Sequence, residues 1–86
     1  MNTIEDTLNQ RISARIRIER ESRGWSLNDL AERAGASRAM IHKIERGESS
    51  PTASMLGRLS GAFGISMSTL IARAEMQEGK LLRFAS

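Results

Sequence analysis

Apolar residues recur along this chain at helical spacing, and each run stops at a turn signal. Leu8, Ile12 and Ile16 follow one another at four-residue intervals. This spacing predicts a first helix over about residues 7–23, closed by Gly24, with Glu19 or Arg20 continuing the apolar face. Ile18 falls off that stripe. Ser26 begins the next unit, and Asp29 three residues later gives capping-box spacing. Leu27, Leu30, Ala31 and Ala34 then line one helical face up to Gly35, a residue able to take positive φ where a helix stops. Ser37 is placed to cap a third helix. Its Ile41 and Ile44 point to the core, Met40 sits between the faces, and Arg38, Ala39, His42 and Lys43 face outward. Residues 47–52 read as a polar loop. Thr52 caps a fourth helix carrying Met55, Leu56, Leu59, Ala62 and Phe63, with Gly57 and Gly61 as marks of close packing and Gly64 as its stop. Ser66 caps a short fifth helix with Met67, Leu70 and Ile71. Residues 72–79 are helical or fraying, and Leu81, Leu82 and Phe84 follow.

The pattern predicts an all-α fold, a compact five-helix domain built around a helix-turn-helix. The organisation is a flexible N-terminus over residues 1–7, the domain over residues 8–73, and a tail over residues 74–86. The tail has three readings: it packs back on the helices, it forms a dimer contact, or it leads into a further domain.

Composition narrows the function. With 86 residues there is room for one domain with a modest core. There is no cysteine, which removes disulfides and thiolate metal sites, and one histidine. No pair of carboxylates stands in a plausible cleft, so an enzyme is not expected, nor a cofactor or metal. The longest apolar run is too short to span a bilayer, and a cytoplasmic location without membrane contact is expected. A net charge of +3 favours an acidic partner, while only 3% aromatics argue against stacking of single-stranded bases. Trp25, the single tryptophan, reads as a core plug between the first two helices.

A basic helix face fits the major groove of double-stranded DNA. Arg38 can pair with guanine, Ala39 can touch a thymine methyl, and Lys43 can reach guanine or phosphate. His42 faces a groove edge or the backbone. Ser37 and Asn28, each near a helix N-terminus, and Arg46 and Ser50, in the following loop, are phosphate candidates. The same fold without base readout would serve as a protein-interaction module, and the cationic outer face is what separates the two readings.

The combined motif resembles the phage-repressor-type, or xenobiotic-response-element, helix-turn-helix family. The likeness runs from Arg20 through Gly24, Trp25, Ser26, Leu30 and Ala31, across Gly35 and Ser37, and along Ile41, Ile44, Glu45 and Gly47. It continues over Pro51, Leu59, Phe63, Gly64 and Leu70. The resemblance implies five helices around one core, a structural ion pair between Arg20 and Glu45, and base contacts at Arg38, Ala39 and Lys43. It places the phosphate contact at the start of the second helix on Asn28, and puts Glu19 where the family often has leucine. It also implies a homodimer on a palindromic operator, with Met67, Ile71, Leu81, Leu82 and Phe84 as interface candidates. A C-terminal effector-binding domain, often a cupin-type barrel, is implied for the full-length protein.

Overall fold

The computed structural model describes the backbone of residues 4–84 and the side chains of residues 7–76. The described residues form five α-helices: α1 (Ile4–Ser22), α2 (Leu27–Ala34), α3 (Arg38–Glu45), α4 (Ala53–Phe63) and α5 (Met67–Phe84). The cap chemistry fixes the starts. Ser26 Oγ accepts from the Asp29 backbone N–H at 3.0 Å, and the Asp29 carboxylate accepts from the Ser26 N–H at 2.8 Å. The hydrogen bond from the Ser26 backbone N–H, foremost, and the Ser26 side chain hold the Asp29 carboxyl below its ordinary value. The Ser37 hydroxyl accepts from Met40 N, Thr52 from Met55 N and Ser66 from Thr69 N, each at 3.0–3.1 Å. Each cap satisfies a donor that the first helical turn leaves without a partner.

The turn between α2 and α3 depends on Gly35, whose φ of 67° lies in the left-handed region. That conformation turns the chain so that Ala36 N–H reaches Ala31 O at 2.9 Å, the closing bond of a Schellman motif. From α4, Arg58 donates to Gly35 O at 3.2 Å and braces the turn from outside.

The core consists of Ile12, Ile16, Leu30, Ala31, Ala34, Ile41, Ile44, Leu59, Phe63, Leu70 and Ala74. Six of its large side chains are fully buried: Ile16, Leu30, Ile41, Ile44, Leu59 and Leu70. α1 lies across α5 and also touches α3 and α4, so it acts as the back wall against which the helix-turn-helix is set.

Several expectations change. α1 starts at Ile4, three residues before the sequence-based start, and extends the helix into the segment expected to be flexible. Residues 1–3 lie outside the described residues. The fifth helix is not short: α5 runs without a break to Phe84, so residues 72–79 take the helical of their two readings and the helix continues beyond them. The side chains of Leu81, Leu82 and Phe84 lie outside the described residues. Ile71, offered as an interface candidate, packs partly against the chain's own core. Gly61 marks no close approach: a Cβ there would meet nothing within 4 Å. At Gly57 a Cβ would stand 3.5 Å from Met67 Cε, an ordinary contact. Trp25 plugs more than the α1–α2 junction. Its ring stacks on Phe63 of α4 at 6.0 Å between centroids, and Arg33 covers it at 4.2 Å.

Candidate nucleic-acid interface

The local sequence of α3 sorts its residues cleanly. Ile41 and Ile44 are buried, which turns Arg38, Ala39, His42 and Lys43 to solvent as one exposed face. Arg46 closes the helix as its C-cap residue and is also exposed. Met40 is 39% exposed and borders a depression lined by Ile44, Ser49, Ser50, Pro51, Thr52 and Met55. Ser50 therefore stands on the Met40 side of α3.

A different cleft, of about 300 Å³, opens on the other side of α3. Arg17 and Arg20 of α1, Leu27 of α2, and His42, Glu45 and Arg46 line it. His42 thus faces outward but stands over this cleft, beside Arg46. Asn28 is exposed at the start of α2, next to Leu27, which packs partly on the core. Leu27 turns inward and Asn28 outward.

The expected Arg20–Glu45 pair is present and bidentate. Arg20 Nε donates to Glu45 Oε2 at 2.7 Å, and Nη2 donates to Oε1 at 3.0 Å. Nη1 donates to the Trp25 carbonyl at 2.9 Å. One guanidinium therefore joins α1, the α1–α2 turn and the end of α3. The pair is enclosed, with side-chain exposures of 12% for Arg20 and 4% for Glu45. Its hydrogen bonds to Glu45 push the Arg20 pKa above its ordinary value against the opposing effect of burial. Planar fork geometry is what lets an arginine fix a carboxylate in position and direction at once. Glu45 is thereby removed from the outer face of α3, which presents cationic and neutral groups.

Sequence reasoning missed two features. Arg17 is not among the candidate contacts read from the sequence, yet it lines the cleft beside the outer face of α3. The signal was its place one turn before Arg20 on α1. Glu19 is 4% exposed and sits at the back of the bundle, where the apolar stripe of α1 predicts a hydrophobic residue. It accepts from Arg23 at 2.8 Å and from Arg73 of α5 at 3.0 and 3.1 Å, and Arg15 approaches at 3.5 Å. Burial alone would raise its pKa. The hydrogen bonds from Arg23 and Arg73 outweigh that and hold the carboxyl below its ordinary value. Among the described residues, no group of three or more His, Asp or Glu is placed to hold a metal ion. No single described helix is long and apolar enough to cross a membrane.

Comparison with known proteins agrees with this geometry. The profile of the helix-turn-helix family matches residues 16–70. The chain is 43% identical over 60 residues to the HTH-type transcriptional regulator SutR of Escherichia coli, covering 70% of this chain and 34% of that protein. It is 34% identical over 61 residues to the regulator SinR of Bacillus subtilis, covering 70% of this chain and 55% of that one. It therefore spans about a third to about half of the length of these curated relatives. Among solved structures, an HTH_3 family transcriptional regulator from Vibrio cholerae superposes with a TM-score of 0.72 at 38% identity. That match covers 79% of this chain and 39% of the other. The restriction-modification controller protein C.AhdI of Aeromonas hydrophila superposes with a TM-score of 0.68 at 27% identity, covering 73% of this chain and 94% of its own. With α2 and α3 as the helix-turn-helix, and α1, α4 and α5 packed behind them, the chain belongs to the helix-turn-helix family.

Proposed function

We propose that the chain binds double-stranded DNA through the major groove in a sequence-specific manner and regulates transcription in the cytoplasm. The observation that carries this is the outer face of α3. Arg38, Ala39, His42 and Lys43 are exposed together, while Arg20 holds Glu45 inward from behind. A helix of this diameter enters the major groove, and its first residues reach base edges. Arg38 is assigned to guanine O6 and N7, Ala39 to a thymine methyl and Lys43 to guanine or phosphate. Ser37, Asn28, Arg46 and Ser50 are assigned to the backbone. Ser37 and Arg46 stand at the two ends of α3, Ser50 stands on its Met40 side, and Asn28 is exposed at the start of α2. His42 stands at the edge of the face, over the cleft that Arg46 shares.

A palindromic operator read by a homodimer follows from one reading helix per half-site. The relatives named above are longer than this chain, which makes a C-terminal effector-binding domain part of the same proposal.

Selection of duplexes from a random pool at stated salt, followed by the same selection with Arg38→Ala, tests this reading. The variant is expected to lose discrimination at one base position, by roughly 1–3 kcal/mol. Equal weakening on selected and random duplexes would reassign Arg38 to phosphate. A parent protein that enriches no sequence would sink base readout and favour the protein-interaction alternative.

A further inference from the structure

The cleft between α1 and α3 carries a charge arrangement that base readout does not use. Its one lining carboxylate, Glu45, is already bound by both arms of Arg20. What remains on the walls is Arg17, Arg46 and His42, around about 300 Å³ beside the outer face of α3. In the free protein both outer arginines are occupied. Arg17 Nε binds Glu21 Oε2 at 3.1 Å, and Arg46 Nη2 binds Glu48 Oε2 at 2.9 Å. Neither Glu21 nor Glu48 is among the residues that line the cleft. These pairs are open to water: Arg17 and Glu21 are 63% and 52% exposed, and Arg46 and Glu48 are 60% and 47%. Pairs so exposed are weak, and another anion exchanges with the carboxylate at small cost. The cleft also opens at Leu27, in the first turn of α2, whose dipole favours negative charge.

The geometry points to a seat for a DNA backbone phosphate in this cleft, with Glu21 and Glu48 as intramolecular placeholders that the phosphate displaces. This rests on the DNA-binding reading above and adds Arg17 as a phosphate-contacting residue, with His42 as a further donor beside it. The carboxylates hold the guanidiniums near the cleft and lower affinity for any polyanion. They leave base readout to decide where the protein stays.

The test uses the full chain, the duplex selected by the parent, and a random duplex. Arg17→Ala is expected to weaken binding to both by about eightfold at 0.1 M salt and to reduce the salt slope by about 0.9, the loss of one phosphate contact. Its melting curve should match the parent, since the side chain is exposed. Glu21→Gln is expected to tighten binding to both duplexes by about 1.5- to 5-fold, the fold equivalent of one exposed pair. That gain should vanish in the Arg17→Ala, Glu21→Gln double variant. A gain that persists there would overturn the placeholder role on Arg17, because Glu21 would then act through Arg20, whose Nη2 lies 3.9 Å from its Oε2, or through the overall field. A parent that selects its duplex normally while Arg17→Ala keeps its full salt slope would overturn the phosphate seat and leave the DNA-binding reading standing. Saturable binding of inorganic phosphate at constant ionic strength, competing with duplex, would overturn it in favour of a small-anion site. Only a parent that selects no duplex removes the underlying reading.

Discussion

Two glutamates in this molecule are almost sealed from water, and they are held in different ways. Glu45 has one arginine, bidentate and itself 12% exposed, brought from another helix 25 residues away. Glu19 has three, of which Arg15 and Arg23 are a helical turn away and Arg73 comes from α5, with exposures of 20%, 24% and 42%. A single enclosed pair fixes direction: the fork of Arg20 allows Glu45, and hence the end of α3, one orientation. A carboxylate shared among three arginines binds more redundantly, because the loss of one leaves it two. The first arrangement sets the end of α3 against α1. The second closes the back of the bundle, where Arg23 also donates to Phe63 O at 2.8 Å and lies 4.8 Å from the Phe63 ring.

The comparison breaks first at Arg20. Arg20→Ala leaves Glu45 enclosed without its partner and is expected to cost about 3–5 kcal/mol, read by urea denaturation. Base preference of the remaining folded protein should be unchanged. An unaltered denaturation midpoint would show that the pair does not hold α3. Arg23→Ala is expected to cost less, about 1.5–3 kcal/mol, because Glu19 keeps two arginines while Phe63 loses a charged donor. Arg73→Ala should cost under about 1 kcal/mol, since this side chain is the most exposed of the three, at 42%, and Glu19 keeps its other two arginines. If Arg73→Ala proved as damaging as Arg20→Ala, the redundancy assigned to Glu19 would be wrong.

Acid sharpens the contrast further. The Glu19 carboxyl is lowered by its arginines, so its contribution to stability is complete above the ordinary carboxylate pKa of 4.5 and is lost as pH falls through the depressed value. Glu19→Gln should therefore be less stable than the parent near neutrality, and the gap should narrow between about pH 5 and pH 3. A gap that stays constant over that range would remove the charge from the account of Glu19. Smallest of all should be Arg17→Ala, whose exposed pair with Glu21 touches neither buried carboxylate and should leave stability within about 0.5 kcal/mol.

Legibility followed the range of the interactions. Caps at Ser26, Ser37, Thr52 and Ser66, and the turn at Gly35, depend on residues within a few positions of one another, and each was readable before the structure. The outward face of α3 was equally readable, because Ile41 and Ile44 fix its rotation. The Arg20–Glu45 pair was legible only through family resemblance, since nothing in local spacing links residues so far apart. The end of α5 was left open between helix and fraying, and the role of Gly61 was misread, because polar composition does not reveal whether a helix continues or what its small residues face.

The sequence by itself determined five helical segments, their caps, and the set of side chains that α3 can offer to a groove, all of which are fixed by periodicity and local hydrogen bonding. Only the tertiary structure decided that Glu19 enters the core side with three arginines, and that Arg17 meets His42 and Arg46 across one cleft. Those outcomes depend on which helix faces which, and that is set by how α1 packs across α3, α4 and α5. The physical reason is burial: a charge can lie inside only where the chain brings opposite charges from elsewhere to meet it.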